Sequence, residues 1–285
     1  MSQAIAIVTD STAYLPQAIR EQYPIEVVPQ VVVWSNESYR DGVDIQAGEF
    51  FERLKVDPVH PTTSVASLGD IQAIYAKAAA RADAVIGIHL SAKLSNTFSV
   101  AEEAVKSISG KEVHVINSQT TSMAMGFLVL AAARAAAAGR PASEVAKLVR
   151  DSIPRTGLLL TLETLKYLQR GGRIGAAQAF MGGVLDLKPI LEVRDGVIHP
   201  LERVRSKRKA VARLLDVMAE RVAGKTGIRL AVIHAAAPAE GAEVLESART
   251  RFGSALVESL LTDVSPTVAV HTGPGTIGLT YSEGI

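Results

Sequence analysis

The stretch AVIGIHL (Ala84–Leu90), followed by SAKLSNTFS (Ser91–Ser99), decides the reading of the fold. A short apolar run without polar alternation is the pattern of a strand covered on both faces. Ser95, Asn96 and Thr97 then mark the strand-to-helix turn, and a helix is expected over Thr97–Ile108. Strand, hydroxyl-bearing turn and helix together form the repeating unit of a parallel α/β sheet.

Working outward, the unit recurs on both sides. Ala4–Thr9 is an apolar run ending in Asp10-Ser11-Thr12, and Pro16 opens a helix. Ile25–Trp34 is a second β-rich run, Tyr39–Gly42 a turn, and Gln46–Lys55 a modest helix. PTTSVAS (Pro61–Ser67) precedes a helix over Leu68–Ala82, and Val113–Ile116 is a strand that leads through Asn117, Ser118, Thr120, Thr121 and Ser122 into a long apolar helix. About four such units predict a doubly wound parallel sheet over residues 1–155, with hydroxyls converging at the carboxyl ends of its strands. From Pro154 the pattern changes. Leu158–Leu162 is a strand, and Lys188–Val193 and Val197–Ile198 flank Arg194-Asp195-Gly196, a hairpin signal. Helices over Ala176–Val184, Ser206–Val222 and Ala239–Phe252 alternate with strands at Ile228–Ile233 and Leu256–Leu261, so residues 156–285 are expected to form a second, mixed-sheet α/β domain.

The composition agrees and excludes several classes. At 285 residues the chain has room for two cores. Hydrophobic residues make up 48%, enough for both, and a net charge of +1 gives no reason to expect nucleic acid. There are no cysteines, so disulfides and thiolate chemistry are excluded. The N-terminus lacks a basic segment followed by a long apolar run, and Arg134 interrupts the apolar segment Met123–Gly139. The expectation is a soluble cytoplasmic protein without stable membrane insertion.

Two stretches can be read either way. PTTSVAS places four hydroxyls in seven residues ahead of a helix. One of them suffices as an N-cap, and the surplus suits an oxyanion. In TLETLKYLQRGGRIG (Thr161–Gly175), Thr161 is positioned to N-cap a short helix with Glu163 in its first turn, and Gly171-Gly172 stop it. Arg170 and Arg173 flank that break, either as cations favoured at a helix C-terminus or as a rigid arginine corner beside an anion-binding cleft. GPGTIG (Gly273–Gly278) is formally GxGxxG, but a dinucleotide fingerprint needs a following helix and a later acid, and seven residues remain after Gly278. The six histidines show no metal-ligand spacing and no GxSxG elbow is present, so no metal, cofactor or catalytic set is expected. The basic run from Arg203 to Arg213 reads as a solvated face or as a docking face for an acidic or phosphate-carrying partner.

These motifs together resemble the DegV family. TDSTAYLP (9–16), TTSVAS (62–67), LSNTFSVA (94–101), VINSQTTSMAMG (115–126), LETLKYLQRGGRI (162–174), the KPIL element, VRSKRKAV and His271 before Gly273-Pro274-Gly275 all match its pattern, across nearly the whole chain. Val65-Ala66 stands where the family has Gln-Pro, and Asn96 where it has glycine. The resemblance implies a non-catalytic carrier that binds one long-chain fatty acid (C14–C18) between its domains and serves as a subunit of a bacterial fatty acid kinase. It implies further that Thr63 and Ser95 meet the carboxylate, with Ser64, Asn96 and His271 nearby and Arg170 as outer support. The alternative is a small-molecule phosphotransferase subunit resembling dihydroxyacetone kinase. Against it, the chain has neither GxxxxGK[ST] nor a histidine placed to hold a carbonyl substrate.

Overall fold

The computed structural model describes residues 3–181 and 187–285. The first half runs β1 (Ile5–Asp10), α1 (Gln17–Gln22), β2 (Ile25–Val28), β3 (Val31–Trp34), β4 (Glu37–Arg40), α2 (Ala47–Val56), β5 (Thr62–Ser64), α3 (Leu68–Ala80), β6 (Ala84–His89), α4 (Thr97–Ala104), β7 (Glu112–Asn117), α5 (Ser122–Ala137) and α6 (Ala142–Ser152). The second runs β8 (Thr156–Thr161), α7 (Lys166–Arg170), β9 (Lys188–Arg194), β10 (Val197–Val204), α8 (Lys207–Arg221), β11 (Ile228–His234), α9 (Pro238–Phe252), β12 (Leu256–Asp263), α10 (Pro266–Thr272) and β13 (Ile277–Glu283).

Strands β2-β1-β6-β7 form a parallel sheet in that order, with Ile7 paired to both Ile25 and Ile86. Alternate residues of β1 serve opposite faces. Ala6 and Val8 join a core with Ile71, Tyr75 and Ala101 from α3 and α4, whereas Ile7 joins the core that contains α5 and α6. Helices therefore cover both faces, which is the doubly wound arrangement. The second sheet, β10-β9-β8-β13-β11-β12, is mixed: β11 and β12 are parallel and the remaining pairs antiparallel. Asp195 (φ 52°) and Gly196 (φ 80°) make the β9–β10 turn, as the Arg-Asp-Gly signal predicts.

Helix α5 joins the two halves. It packs on β1 and β6 on one side and on β8, β11 and β13 on the other. Thirteen of its sixteen residues are buried. This explains a helix apolar all round at its start: it lies between two sheets, not at a surface. Fully buried Met123, Phe127, Leu128 and Leu130 contribute about 1.5–3 kcal/mol each.

Three local expectations need correction. The run Ile25–Trp34 is two strands in different sheets, because Pro29 breaks it. β3 leaves the parallel sheet to pair with β4 and β5. Thr161 does not N-cap a helix: it is the last residue of β8, paired with Ile277 and Ile190, and α7 begins at Lys166. Glu163, relieved of a first-turn role, instead pairs with Lys188 (2.8 Å) and Lys207 (3.0 Å). The helix expected over Ala176–Val184 is a 3₁₀ segment at Gly175–Phe180, and its remainder, 182–184, lies outside the described residues. Finally, GPGTIG lies between α10 and β13, so a strand follows it. That order, helix–turn–strand, is the reverse of a dinucleotide-binding turn.

Candidate functional site

The carboxyl ends of β1, β6 and β7 carry Thr12, Leu90–Asn96 and Thr121-Ser122 to one edge of the parallel sheet, where parallel sheets present their sites. These loops are fixed by a buried polar chain. Asp10 accepts from the amides of Thr12 (3.1 Å) and Leu90 (2.9 Å) and from the Thr12 hydroxyl (2.6 Å). His89 sits between Asp10 (3.2 Å) and the Tyr75 hydroxyl (2.7 Å), and all three side chains are inaccessible. Burial and nearby Asp10 push the Tyr75 phenol upward, so it stays neutral. Gly87 leaves room for it, because a Cβ there would stand 1.7 Å from the Tyr75 oxygen.

Against this edge lies a cavity of about 380 Å³, within the usual size range of ligand pockets. The N-terminal half supplies Gln30, Thr63, Ser64, Val65, Leu90 and the Ala92–Asn96 loop. The other half supplies Leu158 and Leu160 of β8, Leu168, Gly172, Arg173, Val193, Ile198, Ile233 and the α10 residues Thr267, Val268 and His271. Polar groups come chiefly from loops and helix ends, and aliphatic ones both from the mixed-sheet strands and from the surrounding loops and helices. A ligand that is polar in one part and apolar in another matches that lining.

Of the residues implied by the sequence, Thr63, Ser64, Ser95, Asn96 and His271 all line this cavity. The hydroxyl surplus in PTTSVAS is now resolved residue by residue. Only Ser67 caps α3, accepting from the Asp70 amide at 3.1 Å, while Thr62–Ser64 form β5 beside β3. Thr63 Oγ1 lies 2.9 Å from His271 Nε2, which joins two positions 208 residues apart. Burial is the main cause pushing the His271 imidazole down to about 4, with Arg173 and His60 adding to it, so the ring is neutral near pH 7. His271 Nδ1 has no hydrogen-bond partner among the described residues. A neutral ring with its proton on Nε2 donates that proton to Thr63, leaving the Thr63 hydroxyl proton free to face the cavity. The Nδ1 atom is packed tightly: a Cβ on Gly171 would stand 2.0 Å from it.

Ser95 is similarly prepared. Its oxygen accepts from the Thr97 amide (3.3 Å) and shares a hydrogen bond with the Thr97 hydroxyl (2.9 Å). Arg170 is the residue the structure does not bring to the cavity: it is exposed at the end of α7. Arg173 lines the cavity instead, because Gly172 (φ 68°) turns the chain back. Its Nε donates to the Leu94 carbonyl (3.1 Å), which ties the glycine corner to the Ser95 loop. Sequence reasoning also passed over Gln30 and Thr267, and named Thr121 only as one of the hydroxyls that follow β7. Gln30 carried a signal, being a lone amide inside the apolar run VVPQVVVW. Thr267 carried none, since its position depends on how α10 packs.

A parallel sheet and a mixed sheet joined through α5, with one cavity lined by hydroxyls and aliphatic side chains from both halves, define a two-sheet α/β protein. Comparison with known proteins assigns it further: residues 4–284 match the model of the DegV family of uncharacterised proteins, and the chain belongs to that family. A DegV domain-containing protein of Streptomyces coelicolor is 38% identical over 285 residues, covering 99% of this chain and all of that one. Among solved structures, DegV of Bacillus subtilis, described as a fatty acid binding protein, superposes with a TM-score of 0.91 at 34% identity, covering 99% of this chain and 100% of the other. A DegV family protein of Thermus thermophilus, described for its fatty acid binding, also gives 0.91, at 32% identity over the full length of both.

Proposed function

We propose that the protein is a carrier that binds one long-chain fatty acid in the cavity between residues 1–155 and 156–285, without catalysing a reaction on it. The observation that carries this reading is the mixed lining of the cavity: hydroxyls of Thr63 and Ser95 and the neutral His271 share it with Leu158, Leu160, Ile198 and Ile233. The fatty-acid-binding descriptions of the Bacillus and Thermus relatives support it.

The two ends divide the work by magnitude. Burying about fifteen methylenes at roughly 0.8 kcal/mol each gives on the order of 12 kcal/mol before the costs of association. Each hydrogen bond to a carboxylate adds about 1.5–3 kcal/mol. The tail therefore supplies most of the affinity, and the hydroxyls fix where the carboxylate sits. Thr63 donates with its proton directed outward by His271, Ser95 donates by turning its hydroxyl away from Thr97, and Ser64 and Asn96 stand beside them. Arg173 takes the outer cationic place expected of Arg170.

The same reading makes the protein a substrate carrier for a separate kinase that phosphorylates the bound carboxylate. The family resemblance supports this, as does the want of a phosphate-cradling GxxxxGK[ST] in the sequence. Exposed Arg203, Arg205 and Arg208 offer a docking face for that partner. Lipid extraction and mass spectrometry of the purified protein test the binding claim, and an acyl-phosphate assay with ATP and Mg²⁺, with and without a kinase subunit, tests the carrier claim.

A further inference from the structure

Gln30 is 2% exposed and lines the cavity, yet its Nε2 has no hydrogen-bond partner among the described residues. Its backbone is held on both sides, the amide donating to Ser11 Oγ (3.0 Å) and the carbonyl accepting from the Asp41 amide (2.8 Å). Its side-chain oxygen accepts from the Thr97 hydroxyl at 3.0 Å, the same hydroxyl that lies 2.9 Å from Ser95 Oγ. The carboxamide is thus fixed at one end, and a two-proton donor is left at the other, one residue removed from Ser95. A buried donor without a partner is costly, and polar groups left so in a cavity wall are matched by what the cavity binds.

We propose that Gln30 is a head-group ligand, donating from Nε2 to the bound carboxylate beside Ser95. This rests on the fatty-acid reading above and adds to it a specificity-determining residue. With Thr97 donating to Oε1, the carboxamide nitrogen is the group left for the ligand. That arrangement favours an anionic acceptor and disfavours a head group that must donate. Thr97 spends its only proton on Gln30, so Ser95 is the donor in the Ser95–Thr97 bond and gives up that bond when it turns its proton to the ligand.

The test compares Gln30→Met and Gln30→Glu with wild type, using palmitate and its neutral analogue hexadecanol as probes. The Met variant keeps the length and loses both polar ends. The Glu variant keeps an acceptor for Thr97 and replaces the donor by a carboxylate. If Gln30 holds the head group, palmitate binding weakens about ten- to a hundredfold in Gln30→Met and further in Gln30→Glu, while hexadecanol affinity changes little. If Gln30 only supports Thr97, the order reverses: Gln30→Glu binds palmitate as well as wild type, Gln30→Met is the weaker, and both probes lose alike. That order, or palmitate affinity within twofold of wild type in both variants, overturns the proposal. Thermal unfolding of each variant separates lost folding from lost binding, and Gln30→Met alone decides the question if Gln30→Glu does not fold. Failure of the wild type to bind palmitate overturns the fatty-acid reading itself, which makes the two failures distinguishable.

Discussion

Replacing Thr63 by valine isolates the contact on which the head-group account depends most. Valine keeps the shape and β-propensity of threonine in β5 and removes one hydroxyl, which bonds His271 at 2.9 Å. Two losses follow. The carboxylate loses a charge-assisted hydrogen bond, about 1.5–3 kcal/mol, so palmitate binding is expected to weaken roughly ten- to a hundredfold. His271 Nε2 loses its partner too, and an unpartnered buried donor costs about 1–3 kcal/mol, so the ligand-free protein is expected to melt a few degrees lower. If Thr63 binds the carboxylate with a proton that His271 directs, the two side chains should couple. The double variant Thr63→Val/His271→Ala is expected to bind no worse than the weaker single variant, to within about 0.5 kcal/mol. Palmitate titrations on delipidated protein for all four members of the cycle measure this. Unchanged affinity in Thr63→Val, or full additivity in the cycle, would show that the carboxylate does not sit against Thr63.

Further outcomes follow from the same geometry. Because burial pushes His271 down to about 4 while an unfolded histidine titrates near 6.5, the unfolded chain binds a proton first as pH falls. This contribution to stability is intact above pH 6.5 and is lost between 6.5 and 4, on the order of 3 kcal/mol, so chemical denaturation should show a steeper acid loss in wild type than in His271→Asn. Gly171→Ala places a Cβ 2.0 Å from His271 Nδ1 although its backbone (φ −77°) tolerates alanine, so palmitate binding should weaken without a conformational penalty in the loop. Gly87→Ala collides with the Tyr75 hydroxyl and should lower the melting temperature strongly, by breaking the Tyr75–His89–Asp10 chain. Reversing Arg205 and Arg208 to glutamate should slow partner-dependent acyl-phosphate formation, chiefly at low salt, and leave palmitate binding unchanged.

The parallel sheet was legible because β1 and β6 open as unbroken apolar runs and polar residues follow the strands, as at His89–Ser95 and Asn117–Ser122. The β9–β10 hairpin was legible from Arg-Asp-Gly, whose glycine must hold a positive φ. What escaped depends on contacts far apart in sequence. Thr62–Ser64 look like a helix cap until β3 arrives beside them, and β3 itself was merged with β2 because Pro29 was read as part of one run. Thr161 looked like a cap because threonine suits both an N-cap and a strand end, and the pairing with Ile277 decides between them. At the site, the hydroxyl turns pointed to Thr63 and Ser95, and family resemblance added His271. The choice between Arg170 and Arg173 turned on the φ of Gly172, which sequence does not record. Gln30 was visible as an odd polar residue, but its meaning required the Thr97 contact.

The central claim is that this chain holds a fatty acid, and the most direct measurement is native mass spectrometry of the purified protein paired with lipid extraction. The account predicts a mass increment of one C14–C18 fatty acid per chain, lost on delipidation and restored by added palmitate. A chain that carries only trace acyl species and fails to rebind palmitate after delipidation would contradict it.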